Sequence, residues 1–224
     1  MNYIFVDFEM ETIDRCFKEE RKVSRMEIIE IGAVMLNDSY EEISSFKRYV
    51  KPEYIDHISP MITNLTGISD VTLYGKNHSS KEIAEFVQWC NSYGSDIKVF
   101  AWSESDLKQL MGEINLKHIP MTDELEHVID CWGDLQLEFD TSLYSDRQTS
   151  LTNALASLGI AFEGQAHDAL VDSRNTARLY VEMATSEDYK RDVEFIKSCI
   201  YDENRGSGVT LGDLFDFSKL FQSA

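Results

Sequence analysis

The alternation of apolar and polar positions divides the chain into short elements. Tyr3-Ile4-Phe5-Val6 is apolar and β-prone and runs straight into Asp7-Phe8-Glu9-Met10, which predicts a buried strand over residues 3–7. Glu27 to Leu36 reads as a long apolar strand, Asn37-Asp38 as a turn, and Ile43 to Val50 as a third strand closed by Pro52. The second and third strands predict a hairpin. Residues 12–26 are charged and irregular and read as an exposed loop. Ile58-Ser59-Pro60 breaks the pattern, and a short segment ends at Asn64-Leu65-Thr66-Gly67-Ile68. Ser79 and Ser80 then cap a helix running to about Tyr93, with Ile83, Phe86, Val87 and Cys90 at core spacing and Gly94 as its stop. Residues 97–101 predict a fourth strand, 107–111 a helix and 126–131 a fifth strand. Helices follow over 149–158, 168–185 and 187–200. Gly206-Ser207-Gly208 reads as a joint before a short tail, so residues 1–200 are expected to form one domain and 201–224 a linker and tail.

This order, β-β-β-α-β-α-β-α-α, predicts an α/β fold in which a hairpin of long strands is followed by parallel strands and crossover helices. Ligands of such sheets bind beyond the carboxyl ends of the strands. Composition adds little: 43% hydrophobic residues is ordinary for a globular protein. The four cysteines lie far apart, with no C-x-x-C pair, and read as reduced thiols of a cytoplasmic protein. No apolar run approaches the roughly 20 residues that span a bilayer, and Asp7 interrupts the first apolar run too early for a signal peptide.

Charge changes the picture more. A net charge of −19, with no long Lys/Arg cluster, argues against tight binding of long nucleic acid. A short strand held in a pocket whose metal ions supply the positive charge stays open.

Three stretches carry candidate chemistry. Asp7 and Glu9 are spaced i, i+2, so a strand puts both on one face. Two such acids are either solvated at a strand edge or share a divalent cation of the oxygen-preferring kind. Asp106 follows a strand end in Phe100-Ala101-Trp102-Ser103-Glu104-Ser105-Asp106, where it is either a helix-capping acid or a ligand. His167 is expected in a loop before a helix, with Asp172 in the second helical turn. His57, His78, His118 and His127 share no spacing and read as loop or strand-end residues, and the acidic stretch 123–140 as a solvated face.

Together, Asp7, Glu9, Asp106 and Asp172, with His167 five residues before the last acid, resemble the DEDDh exonucleases. Asp7-Phe8-Glu9 and His167-x-Ala169-x-x-Asp172-x-x-x-Thr176 match that family's first and third motifs. Around Asp106 the match is looser, because Ser103 and Ser105 stand where relatives often carry a glycine and an aromatic. Glu27-Ile28-Ile29-Glu30-Ile31-Gly32-Ala33, Tyr49-Val50-Lys51-Pro52, Leu65-Thr66-Gly67-Ile68 and Asp172-x-Arg174-Asn175-x-Ala177-Arg178 look most like the Eri-type branch and its bacterial KapD-type relatives. Leu211-Gly212-Asp213 and Asp216-Phe217-Ser218-Lys219 look like a KapD-type ending.

The resemblance implies a ribonuclease H-like mixed sheet flanked by helices and metal-dependent 3′→5′ exonuclease activity. It implies two Mg²⁺ ions, with Mn²⁺ as substitute. Asp7 would bridge both ions, Glu9 and Asp172 would hold the one carrying the attacking water, Asp106 would support the other, and His167 would be the general base. It makes Phe8, Met10, Leu65 and Trp102 candidates for stacking on or wedging the terminal bases, against the alternative that Phe8, Leu65 and Trp102 are core. The expected partner is the 3′ end of single-stranded nucleic acid, RNA before DNA, with no membrane. A DNA exonuclease of the proofreading type, a nuclease-fold binding protein without turnover, and a phosphodiesterase of dinucleotides remain alternatives.

Overall fold

The computed structural model describes residues 1–143, 145 and 147–200. The expected KapD-type ending and the Gly206 joint lie outside the described residues.

The hairpin and the parallel strands form as the apolar runs predict. Strand β1 covers Asn2–Thr12, β2 Met26–Leu36, β3 Glu42–Tyr49, β4 Ile97–Ala101 and β5 Trp132–Asp134. They make one mixed sheet in the order β3-β2-β1-β4-β5. β1 pairs antiparallel with β2 and β2 antiparallel with β3, whereas β1–β4 and β4–β5 are parallel.

Helices α1 Glu20–Val23, α2 Pro60–Thr66, α3 Asp70–Leu73, α4 Ser79–Cys90, α5 Glu104–Leu116, α6 Asp123–Asp130, α7 Leu135–Ser142, α8 Leu151–Ser157, α9 Ala169–Thr185 and α10 Glu187–Ile200 complete the described chain. The described residues group into two compact units. The first is Met1–Leu135 with Glu163–Ala177, and the second is Gln136–Phe162 with the chain from Arg178 onward. The whole sheet belongs to the first unit.

Alternation along β1 separates core from chemistry. Ile4, Val6 and Phe8 point to one face, where they join Ile31, Ala33 and Met35 of β2, Phe86 and Val87 of α4, Leu110 of α5 and Leu125 of α6 in the main hydrophobic core. Asp7 and Glu9 therefore point to the opposite face, beside their cross-strand partners Gly32 and Glu30. On that face Gly32 meets the backbone of α9: a Cβ there would lie 2.1 Å from the carbonyl carbon of Ala169 and from the nitrogen of Leu170. The absent side chain is what lets the helix backbone reach the sheet.

The expected fifth strand at 126–131 is a helix instead. Thr122 caps α6 by accepting the Leu125 N–H, three acids occupy its first turn, and Leu125 and Val128 bury at helical spacing. The β-prone run His127-Val128-Ile129 is overridden by that cap, and the strand β5 begins at Trp132. The expected loop 12–26 contains the short α1 and a fully buried Ile13. Helix α5 is longer than its apolar run implied, because Ser103 caps it by accepting the Ser105 N–H. Among the described residues, no helix is long and apolar enough to cross a membrane.

Gly32→Ala should destabilise the protein by at least about 2 kcal/mol, since the new methyl has only backbone to displace. Urea unfolding of the variant beside the parent measures this, and equal midpoints would mean that α9 does not rest on Gly32.

Candidate active site

Beyond the last β1–β4 pair, Phe5 with Phe100, strand β1 runs on without a strand neighbour on that side. Asp106, in the first turn of α5 and 5% exposed, fills the gap: its Oδ1 accepts the Phe8 N–H at 3.0 Å. The same hydrogen bond brings the second acidic motif against the first. On the other side of Asp7 and Glu9, α9 delivers the third. Asp172 lies in the first turn of α9, one turn earlier than its sequence position suggested. Its Oδ2 accepts the His167 N–H at 2.9 Å. His167 takes a left-handed backbone conformation, φ 65°, that turns the chain into the helix.

The side chains of Glu9, His167 and Asp172 each offer a ligand atom within 4.8 Å of the others, a spacing that could hold a metal ion. Asp7 is not in that set but feels the same charges. Burial, and then the carboxylates of Asp106, Asp172, Glu9 and Glu30, hold its acid well above the usual range. Burial, Asp172 and Glu30 push Glu9 up to about 8. Burial pushes Asp106 up to about 7, although the Phe8 N–H opposes it. Burial also raises Asp172, against the His167 N–H.

All four acids therefore act on one place, and none has a cation as its direct partner among the described residues. The Oδ1 of Asp172 is buried and accepts no hydrogen bond. An oxygen-only set of crowded acids with an unsatisfied buried oxygen fits a hard divalent cation, which would remove both the repulsion and the orphan.

The other candidates separate. Phe8 is 5% exposed, with its ring against Phe86 and Trp132, so the core reading holds and it has no face to offer a base. Strand alternation that puts Asp7 and Glu9 on the site face puts Phe8 beneath it. Met10 is half-buried beyond a register shift after Glu9. Leu65 is 40% exposed on α2, outside the core, and Trp102 is half-buried at the end of β4. Sequence reasoning missed Glu30 and Lys47. Glu30 raises both Asp7 and Glu9, and Lys47 binds Glu30 at 2.9 Å. The register of Glu9 opposite Glu30 was the signal that could have found them.

Two acids of β1, one of α5 and one of α9 thus gather on one face of a five-stranded sheet, beside the histidine that precedes α9. The sequence profile of the exonuclease family RNase_T matches residues 4–180, and the chain belongs to that family.

Among its relatives, the ERI1 exoribonuclease 2 of Xenopus laevis is 31% identical over 201 residues. The match covers 80% of this chain and 28% of the relative. The human 3′-5′ exoribonuclease 1 is 28% identical over 167 residues, covering 70% of this chain and 46% of the relative. The chain thus spans less than half the length of either. In fold it is similar to the nuclease domain of 3′hExo, a DEDDh family member solved with rAMP bound: TM-score 0.71, 23% identity, 83% of this chain and 92% of that one.

The raised acids fix the sign of a pH effect. A carboxyl whose folded pKa lies above its unfolded value stabilises the fold below the unfolded value, and that stability is lost as pH rises to the folded one. For Glu9, from 4.5 to about 8, and Asp106, from 3.8 to about 7, the window is roughly pH 4 to 8. Thermal melts in chelator should therefore fall across that window, and added Mg²⁺ or Mn²⁺ should reduce the fall. A chelated protein whose Tm stays flat or rises would contradict the arrangement.

Proposed function

We propose that the protein is a 3′→5′ exonuclease that hydrolyses the terminal phosphodiester of short single-stranded RNA and releases nucleoside monophosphates. The observation that carries this reading is the meeting of Asp7, Glu9, Asp106 and Asp172 beside the His167 imidazole. The names of the relatives, an exoribonuclease and a 3′-5′ exoribonuclease, support RNA as substrate and, for the second, the same polarity, and rAMP on the 3′hExo domain supports a ribonucleotide at the site.

Divalent cations, when bound, would offset the charge of the acids and of the phosphate and stabilise the attacking and leaving oxygens. We assign Asp7, Glu9, Asp106 and Asp172 to hold two such ions, Mg²⁺ with Mn²⁺ as substitute. Asp106 is braced for this by the Phe8 amide, and Asp172 by the His167 amide. His167 takes the proton of the attacking water. Imidazole suits that task at neutral pH, and the exposure of His167 lets the proton leave to solvent.

Met10, Leu65 and Trp102 are the side chains we assign to the terminal nucleotides, with Phe8 excluded by burial. A net charge of −19 fits a short strand gripped at its end better than a long one gripped along its length. The free thiols of Cys16, Cys90 and Cys131 accord with a cytoplasmic, reducing setting.

Digestion of a 5′-labelled RNA oligomer with Mg²⁺ tests the reading. We expect a ladder that shortens from the 3′ end, slowed about 10²–10⁴-fold by His167→Ala and abolished by Asp7→Ala or chelator. A ladder unchanged in Asp7→Ala, or products released from the 5′ end, would refute it. A deoxyribo-oligomer of the same sequence should be cut more slowly.

A further inference from the structure

We propose that Lys47 is a positioning residue for the segment that carries His167, acting through Asp168 and Glu30. The inference rests on the functional reading above and names what fixes the proton acceptor of that reaction.

Cross-strand register places Lys47 opposite Gly32, which lies opposite Asp7. All three share the face on which the acids gather. Gly32 has no side chain, so the lysine stem has a clear row across the sheet. Its Nζ lies 2.6 Å from Oδ2 of Asp168 and 2.9 Å from Oε1 of Glu30.

Each of these carboxylates holds backbone with its other oxygen. Oδ1 of Asp168 accepts the N–H groups of Leu170 and Val171, both at 3.2 Å. Oε2 of Glu30 accepts the Ala169 N–H at 3.3 Å. Three consecutive amides following His167 and Asp168 are thus gripped by two acids, and both acids are tied to one ammonium.

The grip is needed for two reasons. His167 adopts a backbone conformation that side chains other than glycine disfavour, so the segment does not hold itself in place. Glu30 and Asp168 also add negative charge beside Glu9, and without Lys47 they would repel it and each other. Arg174, bound to Glu42 on the same strand β3, ties the next turns of α9 in the same direction but sits in solvent and carries less.

A plain stabilising ion pair would change only the melting temperature. A positioning role changes turnover at temperatures where the protein is fully folded. Lys47→Met keeps the stem and removes the charge, and Lys47→Arg restores the charge. Asp168→Asn breaks the same link from the other side. Arg48→Met is the control, because Arg48 points to the opposite face and pairs with Glu82 and Glu85.

Kinetics on an RNA oligomer and amide hydrogen exchange over residues 166–171 are the two readouts. We expect kcat about 10- to 100-fold lower in Lys47→Met and Asp168→Asn, with KM within about twofold. Exchange over 166–171 should be faster in both. Lys47→Arg should recover most of kcat, and Arg48→Met should match the parent. Parental kcat in folded Lys47→Met, or unchanged exchange in that segment, would overturn the proposal. If the parent cuts no oligomer the functional reading fails, and exchange alone then decides the positioning role: faster supports it, unchanged ends it.

Discussion

Carboxylates crowded into a half-dry space repel one another, and burial strips away the water that would screen them. In this protein the repulsion is concentrated where β1, α5 and α9 meet. Burial raises the proton affinity of Asp7, Glu9, Asp106 and Asp172, and the charges of Asp106, Asp172 and Glu30 raise Asp7 and Glu9 further. A fold gains nothing by assembling such a cluster for packing alone, because each buried unpaired acid costs stability. The arrangement makes physical sense when divalent cations complete it.

The rest of the first unit supplies that crowding at low cost. Strand alternation gives one face of β1 to a hydrophobic core and the other to the acids. The parallel neighbour β4 stops short, so β1 has an amide left for Asp106. Gly32 brings the α9 backbone onto the sheet, which carries His167 and Asp172 to the acids. Lys47 lies against Glu30 and Asp168 and offsets their charge.

Much of this was legible in the chain. The i, i+2 spacing of Asp7 and Glu9 needs only a strand to put them together, and the strand is unmistakable. Ile97 to Ala101 is bounded as its apolar run implied. The convergence of Asp106 and Asp172 on that pair was legible only through family resemblance, since no periodicity connects positions so far apart. Period failed at 126–131, where a β-prone triplet was outweighed by the Thr122 cap and the burial of Leu125 and Val128. The short helices α2 and α3 carry too few residues to show a repeat. Lys47 was hidden because its partners, Glu30 and Asp168, lie on other elements and come together only through sheet register and the Gly32 contact.

The most direct test of the central claim is crystallographic: anomalous scattering at the manganese edge from crystals grown with Mn²⁺ and a nucleoside monophosphate. The account predicts two manganese peaks enclosed by the carboxylates of Asp7, Glu9, Asp106 and Asp172. An ordered site with no peak among those four carboxylates, or with manganese bound elsewhere on the chain, would contradict it.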